Sequence, residues 1–371
     1  MKVSHLTSAH PRYDTRIFVK ECSSLVALYD TYLIVADGKG DEIVNGVNIL
    51  DVGKFSGRLN RMINAPNAVY QRAKTLDADL YHLHDPELIP IGLKLKKLGK
   101  KVIFDAHEDL PNQVKSKHYI PKPLRILLPS MVRKFEEYTC SKFDGIVVAA
   151  EPVIKDKFLK INPKTIVINN FPLLEELASL SNTNNTPNQV CYVGGLAETR
   201  GIVELVKSVK LSKNNLKLVI AGNFPTKELE DKVRKIDGWS QVDFRGYVDR
   251  QSISDILEES SVGMVTLHPT PSYLNSMPVK LFEYMAAGIP VVASNFPLWE
   301  VIINSAGCGL CVNPLEPQKI AEAIDYLIDN PIKAIEMGDK GRQAVLEKYN
   351  WTIEKNKLFE FYNTILGENN D

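Results

Sequence analysis

The feature that most constrains this chain is a regular alternation of short, almost uninterrupted apolar runs with longer amphipathic stretches. Runs such as Val102–Phe104, Ile146–Val148, Leu218–Ala221 and Pro290–Ala293 carry no polar alternation. A strand with one wet face alternates, whereas a strand covered on both faces reads as continuous Val, Ile and Leu. The spacing predicts strands over 2–7, 32–36, 47–51, 80–84, 101–105, 145–149 and 165–169. A second series follows over 189–193, 216–221, 242–244, 263–267, 290–294 and 309–312. Helix-length segments separate most of them, as parallel strand–helix–strand units require.

Length divides this pattern in two. A chain of 371 residues exceeds what one core comfortably holds, and 44% hydrophobic against 24% charged residues is globular composition. The polar stretch 177–188, rich in Asn, Ser and Thr and closing on Pro187, is the best linker. The expected organisation is therefore a first Rossmann-like domain over 1–170, a linker over 171–188 and a second Rossmann-like domain over 189–350. The amphipathic terminal segment 351–371 is expected to pack back on the first domain. Both domains are α/β and doubly wound, and they are expected to face one another across a cleft. In such sheets ligands bind beyond the carboxyl ends of the strands, so chemistry is sought in the strand-to-helix loops.

Several classes are set aside. No apolar run reaches the ~20 residues of a membrane span, and the start of the chain lacks the apolar stretch of a secretory signal. Five scattered cysteines argue for a reducing compartment rather than a disulfide framework, and the Cys308–Cys311 pair has no second pair to complete a zinc ribbon. A cytoplasmic location is expected. The zero net charge hides an asymmetry: residues 1–170 hold 26 Lys and Arg against 19 Asp and Glu, and the remainder holds 19 against 26. A basic first half suits an anionic partner, or is simply solvated charge. A nucleic-acid partner is not expected.

Four loops carry candidate chemistry. The first, Gly194–Gly195–Leu196–Ala197–Glu198–Thr199–Arg200–Gly201, lies between a strand and a helix. Its glycines allow close backbone approach, the helix start offers free N–H groups, and Arg200 adds paired donors for a phosphate. A tight turn with a surface arginine is the plainer alternative. The second runs from Leu274 through Pro278 into a helix that Gly288 closes. Its Glu283 needs a partner, which a ribose diol or a salt bridge would supply. In the first domain His82 and His84 share one sheet face, ahead of Asp85, Pro86 and Glu87. Beside them a loop carries His107 and Glu108. These residues serve sugar hydroxyls or a metal, and the expectation is no metal and no cofactor. The last loop, Ser8–Arg16, carries Arg12 and Arg16 for a diphosphate or an acidic acceptor, and Asp14 as a helix N-cap.

The segment LFEYMAAGIPVVAS, preceded by the glycine loop that ends in Arg200–Gly201, resembles retaining glycosyltransferases of family 4, which have the GT-B fold. HLHDPE resembles that family's histidine loop in the first domain, and INNFP its end-of-domain segment. The resemblance implies transfer of a hexose or related sugar from a UDP- or GDP-sugar, with retention and without a metal. It also implies roles. Glu283 grips the donor ribose, the backbone N–H groups of Val279 and Lys280 hold the diphosphate, Arg200 binds it too, and His84 lies beside the donor sugar and the reacting centre. Gly194 and Gly195 belong to the same donor loop. Two positions depart from the pattern: Asn275 stands where the family has its first paired glutamate, and Gly195 where many members have arginine. Arg16 or Arg12 is then expected to replace the missing cation. Arg12, Asp14, His107 and Glu108 are acceptor-side candidates.

The expected acceptor is a glycan or lipid-linked saccharide in bacterial O-antigen, capsule or exopolysaccharide synthesis. The basic and apolar stretch 115–142 is expected to touch an anionic inner-membrane surface, or else to be a helix packed on its own sheet. Two other readings share the sequence features: a sugar-nucleotide 2-epimerase, and a non-catalytic two-lobed binding protein.

Overall fold

A computed structural model describes residues 1–106, 110–111, 122–149, 152–177 and 186–367. The chain forms two compact units, Met1–Asn170 with Glu354–Asp371, and Phe171–Ile353. The division falls inside the terminal helix Trp351–Leu366.

The first unit holds β1 (Lys2–Leu6), β2 (Asp30–Val35), β3 (Glu42–Val44), β4 (Val47–Asp51), β5 (Leu80–Leu83), β6 (Lys101–Ala106), β7 (Gly145–Val148) and β8 (Thr165–Val167). Their order across the sheet is β3-β4-β2-β1-β5-β6-β7-β8. All neighbours are parallel except β3, which pairs antiparallel with β4 at the edge. The sequence reading missed β3, because a three-residue edge strand carries little apolar signal. The order reverses between β1 and β5, so the loops after these two strands diverge and leave a crevice between them.

The second unit holds β9 (Gln189–Val193), β10 (Lys217–Ala221), β11 (Val242–Gly246), β12 (Val262–Val265), β13 (Val291–Ser294) and β14 (Gly309–Val312). They form a wholly parallel sheet in the order β11-β10-β9-β12-β13-β14. Renumbered from its own first strand this is 3-2-1-4-5-6, the doubly wound order of dinucleotide-binding folds. Its reversal lies between β9 and β12.

Both sheets are buried on two faces, as their continuous apolar runs require. On one side of the second sheet Leu281, Met285, Val291 and Trp299 pack together, and on the other Ile202, Val206, Ile220 and Ile324. The terminal helix buries Leu358, Tyr362 and Ile365. Gly145 admits it, since a Cβ there would lie 2.4 Å from the Phe361 ring.

Two glycines let the loops of the second unit touch backbone to backbone. Gly201 has φ +74°, and a Cβ on it would lie 1.8 Å from the Thr266 carbonyl oxygen. Gly222 has φ +145°, and its Cβ would lie 1.9 Å from the Gly194 carbonyl oxygen. The loops that follow β9, β10 and β12 are thus drawn together at the switch point. Gly222→Ala combines backbone strain with this overlap and should destabilise the second unit by more than about 2 kcal/mol. All three tryptophans, Trp239, Trp299 and Trp351, lie in that unit, so tryptophan fluorescence during urea unfolding reads the effect directly.

Candidate active site

In the first unit the site is built by sheet register. His5 of β1 lies opposite His82 of β5, and Leu83 lies opposite Phe104, which puts His84 beside Asp105 at the strand ends. His5, His82, His84 and Glu21 are all buried. His5 Nδ1 and His84 Nε2 are 2.8 Å apart, and His82 Nδ1 is 2.8 Å from the Tyr362 hydroxyl, which lies 3.1 Å from His5 Nε2. A single chain of hydrogen bonds therefore runs His84–His5–Tyr362–His82. Burial pushes His5 and His82 well below the ordinary histidine range, and the neighbouring imidazoles add to it, so both rings are neutral.

The ligand atoms of His5, Glu21, His82 and His84 lie within 4.8 Å of one another, a spacing that could hold a metal. The His5 and His84 centroids are 5.0 Å apart with planes 17° from parallel, and their nitrogens meet at 2.8 Å. These two rings thus meet edge to edge with a hydrogen bond between them, which engages one nitrogen of each.

Arg16 lies inside this assembly. It extends from a π-helix, Thr15–Cys22, whose N-cap is Asp14: the Asp14 carboxylate accepts from the Arg16 and Ile17 N–H groups, each at 2.9 Å. The Arg16 guanidinium bonds Asp105 at 3.0 and 3.2 Å, lies 3.1 Å from Glu21 and donates to the Ile168 carbonyl at 3.0 Å. The sequence reading placed it at a diphosphate; the structure turns it into the sheet, because two buried carboxylates there require a cation. Arg12 is likewise engaged, bonding Asp37 at 2.6 and 2.7 Å and Glu42 at 2.5 Å. His107 and Glu108 lie outside the described residues.

His84 has almost no exposed surface, and the residue beside it meets the first loop instead. Asp85 accepts from the Thr7 hydroxyl at 2.8 Å and from the Ser8 and Ala9 N–H groups at 2.6 and 3.2 Å. His10, half-buried, pairs with it at 2.9 Å. These bonds close the crevice between β1 and β5 with a fixed carboxylate. Sequence reasoning named Asp85 only as one acid of its loop and gave His10 no role, since their pairing joins two loops far apart in the chain.

In the second unit the glycine loop and the helix Val279–Ala287 approach one another. The Lys280 side chain lies beneath the loop, its Nζ 3.8 Å from the centroid of the Tyr192 ring. A Cβ on Gly194 would lie 3.0 Å from Lys280 Nζ and 3.6 Å from an Arg200 nitrogen, and one on Gly195 would lie 3.8 Å from the Arg200 guanidinium. Arg200 also faces the Tyr192 and Tyr273 hydroxyls. The helix has Pro278 as N-cap and Gly288 in the left-handed C-cap, so the N–H groups of Val279 and Lys280 open its free end. Trp299 Nε1 donates to the Ser276 carbonyl at 2.7 Å and pins the preceding loop, in which Asn275 is half-buried. Glu283 accepts from Arg250 at 2.9 Å, so of the two partners considered for it the salt bridge is the one present here. Arg250 comes from a separate helix, and no local spacing announces the pair.

Residues 175–344 match the family model of glycosyl transferases group 1, a span just short of half the chain. An uncharacterized glycosyltransferase of Methanocaldococcus jannaschii is 24% identical over 333 residues, which cover 84% of this chain and 83% of that one. The capsular polysaccharide biosynthesis glycosyltransferase CapM of Staphylococcus aureus is 27% identical over 205 residues, 54% of this chain and 52% of that one. This chain therefore aligns with about half the length of CapM. Among solved structures, HepE of Anabaena in complex with UDP and glucose superposes with a TM-score of 0.74, over 98% of this chain and all of that one, at 14% identity. The fold is GT-B. The family match and the named relatives support placement in the GT-B glycosyltransferase superfamily.

The His10–Asp85 pair has a defined pH window. Hydrogen bonding to Asp85 raises the His10 pKa, and the bonds from His10, Ser8 and Thr7 outweigh burial to hold Asp85 at about 2. A raised histidine contributes stability below its unfolded pKa of about 6.5 and loses it as pH rises through the folded value. A lowered aspartate contributes above about 4 and loses it as pH falls towards 2. The pair's contribution is greatest between these limits. In His10→Gln the thermal midpoint should therefore fall most between about pH 4 and 6.5, and converge on the parent at higher pH.

Proposed function

We propose that the protein transfers a sugar from a nucleoside-diphosphate sugar to a saccharide or lipid-linked acceptor, with retention and without a metal. The observation that carries this reading is the second unit's switch point. There a glycine loop, Arg200 and the free end of the Val279–Ala287 helix converge at the place where doubly wound sheets bind nucleotides. HepE, of the same fold, forms a complex with UDP and glucose, which favours a UDP-sugar; a GDP-sugar is the other candidate donor.

In this reading the donor diphosphate lies against the N–H groups of Val279 and Lys280, the backbone of Gly194 and Gly195, and the Arg200 guanidinium. Glu283 takes the ribose hydroxyls, sharing its carboxylate with Arg250. Asn275 offers its amide to the sugar. The bond between the anomeric carbon and the diphosphate oxygen breaks, and the acceptor oxygen bonds that carbon on the same face. The acceptor's proton passes to the leaving diphosphate, so no enzyme base is needed. Arg200 and the helix end stabilise the charge that grows on the leaving group. The first unit takes the acceptor, with Asp85 and His10 lining its crevice. His84 is a positioning residue, holding Asp105 and β1 in register with β5.

Synthesis of a bacterial surface polysaccharide is the biological setting, in line with the name of CapM. Among the described residues no helix is long and apolar enough to cross a membrane. The helix Lys122–Cys140 nevertheless exposes Leu127, Met131, Phe135 and Tyr138, which at this spacing form one stripe. Farther round the same helix Arg133 and Glu137 line a cavity of about 560 Å³ together with Lys157 and Lys160. An exposed apolar stripe on a helix suits the surface of a bilayer carrying a lipid-linked acceptor. Met131→Glu should lower co-sedimentation with phosphatidylglycerol vesicles and leave nucleotide binding unchanged. Equal sedimentation of both proteins would remove membrane contact from the proposal.

The donor assignment is tested by thermal shift with UDP, GDP, ADP and dTDP. A ligand at a hundred times its dissociation constant adds about 2.7 kcal/mol, enough to raise the midpoint by degrees. One diphosphate should do so in the presence of chelator. Glu283→Ala should lose the nucleoside and the diphosphate alike, whereas Arg200→Ala should weaken the diphosphate roughly tenfold or more and spare the nucleoside. No shift with any nucleotide would overturn the transferase reading. Tritium exchange at the sugar C2 without an acceptor would transfer it to a 2-epimerase.

A further inference from the structure

We propose that Lys280 is the second cation of the donor-diphosphate site, and that it takes up a proton when the diphosphate binds. This deepens the proposed function and rests on it. The backbone N–H of Lys280 belongs to the open end of its helix, but the side chain has no such local role. It runs back under the glycine loop and ends against Gly194.

Three observations lead there. The first is an unanswered group: Lys280 is 8% exposed, and its Nζ has no hydrogen-bond acceptor among the described residues. A buried amine without an acceptor is costly, and native folds keep one chiefly where a ligand completes it. The second is placement. Only the hydrogen of Gly194 separates Nζ from the loop backbone, and a Cβ there would lie 3.0 Å from Nζ and 3.6 Å from Arg200. Two cationic side chains thus flank one glycine at the mouth of the switch point. The third is that the glycine loop itself carries no cation before Arg200. A Cβ on Gly195 would meet nothing closer than the Arg200 guanidinium at 3.8 Å, so the loop has room for a side chain yet carries none. The charge that a side chain at 195 would bring from above comes from Lys280 below.

The groups facing Nζ explain the proton. Arg200 repels a second positive charge, and burial opposes it more strongly, so Lys280 lies well below the ordinary lysine range. Glu283, one turn on, and Cys191 of β9 pull the other way, but Glu283 is already paired with Arg250. The face of Tyr192 completes the surroundings, and its phenol is pushed up to about 12 by burial and stays neutral. The free protein therefore holds this amine over an aromatic face in surroundings that disfavour its proton. A diphosphate beside it, carrying two or more negative charges, reverses the balance. The amine gains a proton from solvent, and the resulting ammonium meets both the phosphate and the Tyr192 ring.

The experiment is calorimetry of the full chain with UDP and with GDP near pH 8, in buffers of different ionisation enthalpy. At that pH the terminal phosphate of the nucleotide, with pKa about 6, is already ionised and takes up nothing. The dependence of observed heat on buffer enthalpy should show uptake approaching one proton per nucleotide, and no uptake with the matching nucleoside. Lys280→Met, which keeps the length and apolar stem, should abolish the uptake and weaken the diphosphate roughly tenfold to a hundredfold while sparing the nucleoside. Should that variant fail to fold, the parent's buffer dependence alone decides. Tight binding of a nucleotide without proton uptake overturns this inference and leaves the donor site standing. Failure of the parent to bind any nucleotide overturns the donor site itself.

Discussion

The second unit depends on the contact between Gly201 and the Thr266 carbonyl. The loop after β9 and the loop after β12 leave adjacent strands in opposite directions, and they can meet again only where one backbone has no side chain. Gly222 repeats the device against Gly194. Once these contacts exist, the Arg200 side chain, the Gly194 backbone and the helix that starts after Pro278 share one small region. The backbone of this region is fixed by van der Waals contact, so its hydrogen-bond donors are oriented before any ligand arrives. Preorganised donors of this kind cost little reorganisation at the moment charge develops on a leaving group.

The first unit uses a different solution at the same topological position. Its crevice is lined by side chains, and the sheet beneath is polar. His5, His82 and Asp105 occupy strand positions that elsewhere hold Val and Ile, His84 directly follows β5, and Arg16 and Glu21 come from the π-helix Thr15–Cys22. The register of β1 against β5 brings the histidines together, and Tyr362 from the terminal helix bonds His5 and His82. This helix is thereby part of the first unit's interior rather than an appendage. A buried polar network of this kind tolerates few substitutions, because each member leaves another unsatisfied.

The two arginines of the first loop show how such a network redirects chemistry. Read in sequence, Arg12 and Arg16 are free cations next to a candidate ligand loop. In the fold each is claimed by carboxylates: Asp37 after β2 and Glu42 of β3 for Arg12, and Asp105 of β6 with Glu21 of its own π-helix for Arg16. The cation that the second unit lacks at Gly195 is thus not replaced from there. Lys280, whose side chain drew no attention in the sequence because it sits in an apolar helix, is the positive group that lies beside the glycine loop.

The sequence by itself determined the architecture and the location of the candidate site. Both sheets, the strand-to-helix loops, the Asp14 cap and the Gly288 stop follow from local patterns, since burial on two faces, helix ends and left-handed turns each leave a mark within a few residues. The edge strand β3 and the π-helix after Asp14 left no such mark. Tertiary structure alone decided the partners: His5 with His84, Arg16 with Asp105, Glu283 with Arg250, Asp85 with the first loop. Those pairs join residues 33 to 89 positions apart, and which charge meets which is fixed by strand order and register. No spacing along the chain encodes that.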